Sequence, residues 1–351
     1  MADFHDPLDH KRRARPAGAG EASAYLPGSE DIVTVGLPAR FPGVRVSQRE
    51  VSASLRCTNY VLNDAGDASV VGDVACAPEQ SRLCFVGDAL GKVYRTTQPR
   101  DFVFQGEPVT GEEWIRLVFT EYLSQADPEL SPETLALNLN GIVADQLRRA
   151  GMDPERSDEV PGIVGAIGKW GPEKIEICWW GDVAAIVELR DGSLLTSENQ
   201  VWGHDVELKA IFGEIRQRMA TEGKDMAAAW EEFTPTMAVK RRARSNNPHD
   251  KLGYGVLNGQ AGFSGFVRTI SAPSAEVVKV FMQSDGFIMF EDGRLDPRSL
   301  APFLQSLNSE EDLLARLGMV RARQLAEAKT SFIRYPEASA ILSVHQVTAR
   351  T

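Results

Sequence analysis

Hydrophobic and polar positions along this chain alternate in stretches that predict both buried strands and amphipathic helices. Short apolar runs bounded by Gly and Asp predict strands at residues 68–74 and 83–86. Apolar residues at helical spacing predict two long helices, at residues 112–124 and 131–150, and a Ser-Pro-Glu start signal precedes the second. Two helices therefore separate the first strands from the rest of the chain.

A series of further strands follows, and helices interrupt it. Strands are predicted at residues 163–167, 175–180, 184–189, 254–257, 266–270, 277–282 and 338–344. Helices are predicted at residues 206–220, 225–233, 299–307 and 310–330. Asp191 and Gly192 form a hairpin signal. Because hairpins dominate and strands do not alternate regularly with helices, the pattern predicts an α+β fold, a sandwich of antiparallel sheets.

The net charge and the lengths of the apolar runs indicate which kinds of binding partner are not expected. The chain has 351 residues, with 38 Lys+Arg against 49 Asp+Glu, which gives a formal net charge of −11. An acidic balance argues against a dedicated nucleic-acid binder, because the neutralisation of phosphates needs a basic surface. The longest apolar runs are far shorter than the roughly 20 residues that span a bilayer. We therefore expect neither a nucleic-acid partner nor a membrane partner.

Cysteine usage and the amino-terminal residues indicate a compartment. The cysteines show no CxxC pair and no spacing typical of a zinc site, and they are Cys57, Cys76, Cys84 and Cys178. They are expected to be reduced, mostly buried thiols. The basic cluster at 11–15 is not followed by the apolar core of a signal peptide. These features predict a cytoplasmic protein.

Three segments are expected along the chain. Residues 1–45 form a flexible basic tail rich in Pro and Gly, and residues 46–348 form the folded domain. Residues 200–260 are an insertion or flap, longer than a plain strand connection. The string KRRAR occurs at 11–15 and again at 240–244. Its two copies are interpreted as solvated basic clusters, with binding to an acidic partner or to nucleic acid as the alternative, and Arg241, Arg242 or Arg244 could contact a phosphorylated or acidic partner.

Two aspartates follow hydrophobic strand segments, and they are the candidates for chemistry. Asp88 follows the apolar run 83–86, and Asp285 follows the run 277–282. A carboxylate at the end of a buried strand is costly to desolvate unless something compensates its charge, and a divalent cation is one such compensator. Mg²⁺ and Mn²⁺ prefer oxygen ligands of this kind. The alternative is an ordinary strand-end turn, in which Asp and Gly are common.

The order of five short motifs resembles the metal-dependent serine/threonine protein phosphatases of type 2C. The motifs are RCTNYV at 56–61, VGDALGK at 86–92, WGDV at 180–183 with RDG at 190–192, FMQSDGF at 281–287 and EASAIL at 337–342. The resemblance covers residues 46–348. It implies a four-layer α-β-β-α sandwich, in which two antiparallel sheets pack face to face between helices.

The resemblance also implies a metal centre in the cleft between the sheets. Asp88 would bridge two Mn²⁺ or Mg²⁺ ions, the carbonyl of Ala89 would join the first ion, and Asp285 would bind the second. Glu337 would stand where the family has its closing aspartate, and Arg56 would hold the phosphate of the substrate. A water made acidic by the metals would then hydrolyse phosphoserine or phosphothreonine in a phosphorylated protein.

Departures from the family pattern leave three interpretations open. The early Glu-Asp pair of the family falls on Tyr60 and Val61, although Asn63 and Asp64 follow closely, and its closing acidic pair is reduced to Glu337 and an alanine. Neither a neutral tyrosine nor a valine is a good ligand for a hard cation. The chain is therefore a phosphatase with a divergent site, a pseudophosphatase kept as a binding or regulatory module, or another hydrolase or transferase on the same scaffold.

Overall fold

Thirteen strands and six helices are found in the part of the chain that the computed structural model describes, which is residues 43–52, 55–64, 72–78, 81–90, 102–287, 297–327 and 338–347. The strands are β1 Gly43–Ser52, β2 Leu55–Asp64, β3 Val74–Cys76, β4 Leu83–Leu90, β5 Phe102–Phe104, β6 Glu107–Val109, β7 Gly162–Trp170, β8 Lys174–Trp180, β9 Ala184–Leu189, β10 Leu194–Thr196, β11 Arg268–Pro273, β12 Val277–Gln283 and β13 Ala338–Val347. The helices are α1 Gly111–Gln125, α2 Pro132–Arg149, α3 Trp202–Thr221, α4 Met226–Arg244, α5 Pro297–Ser306 and α6 Glu310–Glu327.

The strands form two antiparallel sheets that pack face to face. The six-stranded sheet has the order β1-β2-β13-β12-β9-β10, and the five-stranded sheet has the order β11-β8-β7-β4-β3. Val61 and Ile341 of the first sheet share one apolar core with Val86 of the second. Helices α1 and α2 cover the outer face of the five-stranded sheet, and α5 and α6 cover that of the six-stranded sheet. The predicted four-layer α+β sandwich is confirmed.

Local sequence signals explain where several elements begin and turn. Thr110 caps α1 in a capping box with Glu113, and Ser131 caps α2 by accepting from the backbone N–H of Thr134. Gly192 turns the β9–β10 hairpin with φ of 82°, in the left-handed region that favours glycine. Both helices and this hairpin lie within a residue or two of their predicted positions.

Some elements differ from the prediction in extent. Strand β4 continues to Leu90, so that Asp88 lies within the strand rather than after it. Residues 254–257, predicted as a strand, form only isolated bridges. The folded domain was expected from residue 46, and β1 begins at Gly43. The expected tail otherwise lies outside the described residues.

The insertion at 200–260 contains a helical hairpin, which we call the flap hairpin and which consists of α3 and α4. It has an apolar cluster of its own, which includes Leu208, Phe212 and Phe233. Helix α3 extends beyond its predicted span of 206–220 at both ends, whereas α4 begins one residue after its predicted start and continues well past the predicted end at 233. Among the helices in the described ranges, none has an apolar stretch of the length that a bilayer crossing requires.

Candidate metal and phosphate site

The two aspartates singled out from the sequence meet at one end of the sandwich. Asp88 belongs to the five-stranded sheet and Asp285 follows a strand of the six-stranded sheet, yet a side-chain hydrogen bond joins their carboxyl groups. Burial raises the pKa of Asp285 well above its usual range, and the charge of Asp88 raises it further. Two carboxylates in hydrogen-bond contact repel each other unless a proton or a cation lies between them. The pair is therefore a place where a cation would be favoured.

Neighbouring strands hold these two aspartates in place. Asp88 pairs with Val164 of β7 in the ladder, which fixes the backbone at the end of β4. The residue before Asp285 is Ser284, whose backbone N–H donates to the carbonyl of Ser339 at 2.9 Å. The hydroxyl of Ser284 donates to Asp73 at 2.5 Å and accepts from the N–H of Ser339 at 3.0 Å. The backbone immediately before Asp285 is therefore held in place by the hydrogen bonds of Ser284.

A third aspartate, Asp182, lies on the crossover from β8 to β9, where the chain passes from one sheet to the other. Gly181 precedes it with φ of 76°, and a Cβ at that position would stand 2.3 Å from Val164. The side-chain oxygen of Gln200 accepts from the N–H groups of Gly181 at 3.0 Å and Gly255 at 3.1 Å. This turn therefore requires glycine and is fastened by Gln200, which fixes the position of Asp182.

The flap hairpin contributes a fourth aspartate, Asp205, in the first turn of α3. Burial raises the pKa of Asp205 to about 7, and the charge of Asp182 contributes to the rise. Burial likewise raises the pKa of Asp182 to about 6. The charges of Asp182 and Asp205 also raise the pKa of Asp285, as the charge of Asp88 does. The four carboxyl groups therefore influence one another electrostatically.

Two of these four aspartates were not assigned to the site from the sequence. Asp182 follows a glycine after a strand, as Asp88 does, and this shared pattern is the signal that predicts it. Asp205 carries no such signal, because an acidic residue in the first turn of a helix is ordinarily explained by the helix dipole. Its proximity to Asp182 depends on how the flap hairpin packs.

The donor set fits one hydrated hard cation. In the described ranges, no group of three or more His, Cys, Asp or Glu side chains is arranged to hold an ion by itself. Mg²⁺ and Mn²⁺ usually keep several waters and are bound through one or two carboxylates, which Asp88 and Asp285 supply. In addition, one buried carboxylate oxygen of Asp182, Oδ1, has no hydrogen-bond partner among the described residues. A second ion would need further ligands from elsewhere.

The remaining predicted ligands have different positions. Ala89 is the next residue along β4 after Asp88, so its backbone lies at the same strand end. Glu337 lies outside the described residues. Ala338, which follows it, is fully buried at the start of β13, where the family pattern has an acidic residue. The closing strand therefore brings no carboxylate to the site from its described part.

Arg56 is not brought together with the aspartates. It pairs with Gln346 in the ladder between β2 and β13, whereas Asp64 pairs with Ala338 at the other end of the same two strands. Eight residues of strand separate Arg56 from Asp64, or about 26 Å at the usual rise. The side chain of Arg56 is 63% exposed and forms an ion pair with Glu50.

The residues at the position of the family's Glu-Asp pair are all engaged elsewhere. Tyr60 packs against the apolar cluster beneath α5 and α6, so its ring lies on the helix side of the sheet rather than between the sheets. Asn63 exchanges hydrogen bonds with the backbone of Ala75 in β3. Asp64 accepts two hydrogen bonds from Arg321 of α6, at 2.9 and 2.7 Å. Asn63 and Asp64 are therefore engaged with Ala75 and Arg321.

Comparisons with known proteins give structural likenesses only. No family model matches the chain, and no curated protein matches it by sequence. Among solved structures, the catalytic domain of the serine/threonine protein phosphatase PstP, in complex with two manganese ions, is similar at 13% identity and a TM-score of 0.47, over 83% of this chain and 99% of that one. RsbX in complex with magnesium is similar at 13% identity and a TM-score of 0.42, over 87% and 100%.

A third similar structure is PppA, a regulatory component of the type VI secretion system in Pseudomonas aeruginosa. It shares 12% identity at a TM-score of 0.46, over 84% of this chain and 99% of that one. The solved structures that resemble this chain thus include phosphatases of the serine/threonine class. Since likenesses this weak do not decide function, we take the function from the residues of the chain itself.

Proposed function

We propose that this chain is a metal-dependent phosphoric monoester hydrolase that acts on phosphoserine or phosphothreonine in proteins. The observation that carries the proposal is the hydrogen-bonded pair of Asp88 and Asp285, which are 197 residues apart in sequence (285 − 88) and come from different sheets. Asp182 and Asp205 add negative charge around this pair. Metal-dependent phosphoryl transfer to water uses such a site, because a bound cation balances the negative charges of both the carboxylates and the phosphate.

The residues present would hold one Mn²⁺ or Mg²⁺ ion. Asp88 and Asp285 would bind it directly, with the carbonyl of Ala89 as the backbone ligand that the family resemblance implies. A bound divalent cation supplies an acidic water and a Lewis acid for the phosphoryl oxygen. Glu337 remains a candidate ligand that precedes β13.

The protein groups around the ion have their own tasks. Ser284 anchors the backbone before Asp285 through its bonds to Asp73 and Ser339, which limits the freedom of that carboxylate. The buried Oδ1 of Asp182 is an acceptor able to orient a water molecule at this edge. No nucleophile from the protein is required, since water is the attacking group.

The test combines metal binding with catalysis. Purified protein freed of metal is titrated with Mn²⁺ in a calorimeter, and phosphate release from p-nitrophenyl phosphate and a phosphoserine peptide is measured. We expect saturable binding of Mn²⁺ and Mn²⁺-dependent turnover, both lost in Asp88→Asn and in Asp285→Asn. Asp191→Asn is the matched control, since Asp191 lies in an exposed hairpin turn. Turnover that persists unchanged in Asp88→Asn would refute the proposal.

A second candidate is a catalytically degenerate module that binds a protein partner. It is favoured by the buried Ala338 at the start of β13 and by the absence of a ready-made group of three acidic, His or Cys ligands among the described residues. This candidate predicts no Mn²⁺ binding in the same titration and no phosphate release. It also predicts that Asp88→Asn leaves capture of a partner unchanged.

A further inference from the structure

The second basic cluster, at 240–244, contains three arginines that differ in exposure and in the groups they contact. Arg244 is buried and engaged, since it donates to Glu207 and contacts Nδ1 of His204 at 3.0 Å. Arg242 is half-exposed and lies 3.8 Å from a carboxylate oxygen of Asp158. Arg241 points to the interior, where it is only 6% exposed. The three side chains therefore have different partners, and Arg241 is the one whose hydrogen bond reaches the strand that carries Asp88.

Arg241 joins the flap hairpin to the strand that carries Asp88. Its guanidinium Nη2 donates to the carbonyl of Leu90 at 3.2 Å, across 151 positions of sequence. Leu90 is the last residue of β4, two positions after Asp88. Leu90 and Asp88 are both partly exposed, so this rim of the site is open to solvent. The guanidinium thus lies at the border between the flap hairpin and the open rim.

Tyr254 shows that Arg241 and the aspartates share one neighbourhood. The pKa of the Tyr254 hydroxyl is raised to about 12, first by burial. Asp205 and Asp182 add to the rise, whereas Arg241 and, to a smaller extent, Arg244 oppose it. A cation therefore lies beside carboxylates that are otherwise in excess. A buried arginine is stable only where anions compensate it. Once a metal ion binds the carboxylates, the same guanidinium is placed to compensate a phosphate.

We propose that Arg241 is the residue that recognises the phosphoryl group of the substrate, in the place that Arg56 does not occupy. This inference rests on the proposed function and adds a specificity-determining residue from the flap hairpin. The substrate class is a phosphate monoester dianion at the rim formed by residues 88–90. A guanidinium suits this task because its planar fork of N–H groups matches two phosphate oxygens while another N–H keeps its carbonyl.

The test measures phosphate affinity separately from turnover. The KM for p-nitrophenyl phosphate and the Kd of inorganic phosphate in the presence of Mn²⁺ are compared for the native protein, Arg241→Gln and Arg241→Lys. We expect both constants to rise at least tenfold in Arg241→Gln, with Mn²⁺ affinity changed less than twofold. Arg242→Gln is the control and leaves both constants unchanged. Equal KM and Kd in Arg241→Gln and the native protein would overturn the inference.

The lysine variant guards against loss of folding. Arg241→Lys keeps the charge and a donor for Leu90 but loses the fork. If it restores the unfolding midpoint of the native protein without restoring phosphate affinity, the inference holds. If it restores both, a point charge at position 241 is sufficient to bind phosphate, which supports the role of this residue and refutes only the contribution of the planar fork. If the native protein is inactive but still binds phosphate, and Arg241→Gln weakens that binding, only the proposed function is refuted. If phosphate binds equally well in Arg241→Gln, the inference itself is refuted.

Discussion

Replacement of His345 by leucine is expected to stabilise the protein. His345 lies on β13, is 5% exposed and faces the core between the sheets, beside Cys57 in the ladder and the ring of Trp170 at 6.0 Å. Neither of its ring nitrogens has a hydrogen-bond partner among the described residues. An unsatisfied buried polar group costs about 1–3 kcal/mol. Because leucine has a similar size and no polar atom, His345→Leu should raise the free energy of unfolding by roughly this amount at pH 7.5.

The same residue makes stability depend on pH. Burial lowers the pKa of His345 from 6.5 to about 4, and the positive charges of Arg190 and Arg49 assist. Since the unfolded chain then binds the proton more tightly than the folded one, stability is full above pH 6.5 and falls as the pH drops towards 4. At about 1.4 kcal/mol per pH unit, the loss over this window is roughly 3 kcal/mol. His345→Leu should remove this part of the slope.

Urea unfolding at several pH values, followed by tryptophan fluorescence, measures both effects. His204→Leu is the contrasting variant, because His204 has its pKa lowered to about 4 in the same way but its Nδ1 has Arg244 as a partner. That change should destabilise the protein, since it leaves a buried guanidinium without one of its contacts. The reasoning would be wrong if His345→Leu lowered stability at pH 7.5, or if its stability fell with pH as steeply as that of the native protein.

Three further stability changes can be read from the same kind of urea experiment. Gln283 is 1% exposed and both polar atoms of its side chain lack partners among the described residues, so Gln283→Met should raise the unfolding free energy by about 1–2 kcal/mol; a decrease would contradict this. Ser284→Ala should lower it by about 1–3 kcal/mol, because Asp73 loses its 2.5 Å donor; an unchanged midpoint would contradict this. Gly181→Ala should lower it by more than about 1 kcal/mol, since φ is 76° and the new Cβ would meet Val164, and a neutral result would contradict the strain.

Helices and turns whose sequence patterns depend only on neighbouring residues were predicted well. The stripe around Trp114 and the Ser131 cap depend only on residues within a few turns, and the observed helices agree closely with both. The contact between Asp88 and Asp285 was also anticipated, because both residues follow apolar strand segments in a family-like order. Asp205 was missed, since its place in the site depends on the packing of the flap hairpin against a turn 23 residues earlier (205 − 182).

The faces of β2 show a second limit of sequence reasoning. Burial alternates along β2 from Leu55 to Val61, but the buried residue Asn59 is polar and Leu62 is buried on the opposite face, so the pattern of polar and apolar residues does not reveal which side chains face the cleft. Tyr60 was matched to a ligand position of the family, yet its ring lies on the helix side of the sheet. Arg56 was matched to the phosphate arginine by its position in a motif, yet the ladder places it beside Gln346, at the opposite end of β2 from Asp64. A sequence motif therefore predicts which strand a residue belongs to, but it does not predict at which end of the strand or on which face of the sheet the side chain lies.

The cluster of carboxylates around Asp285 bears on the choice between the two candidate functions, a metal-dependent hydrolase and a binding module. Asp64 and Asp73 are acids that the fold uses, and each has a protein donor, Arg321 and Ser284. Asp285, in contrast, is surrounded by other carboxylates that raise its pKa. These carboxylates are partly exposed but close together, so their mutual repulsion costs stability, and a divalent cation would offset that cost. The proposed hydrolase therefore predicts that Mn²⁺ raises the free energy of unfolding of the native protein but not of Asp88→Asn, whereas the binding module predicts no effect of Mn²⁺ on either protein.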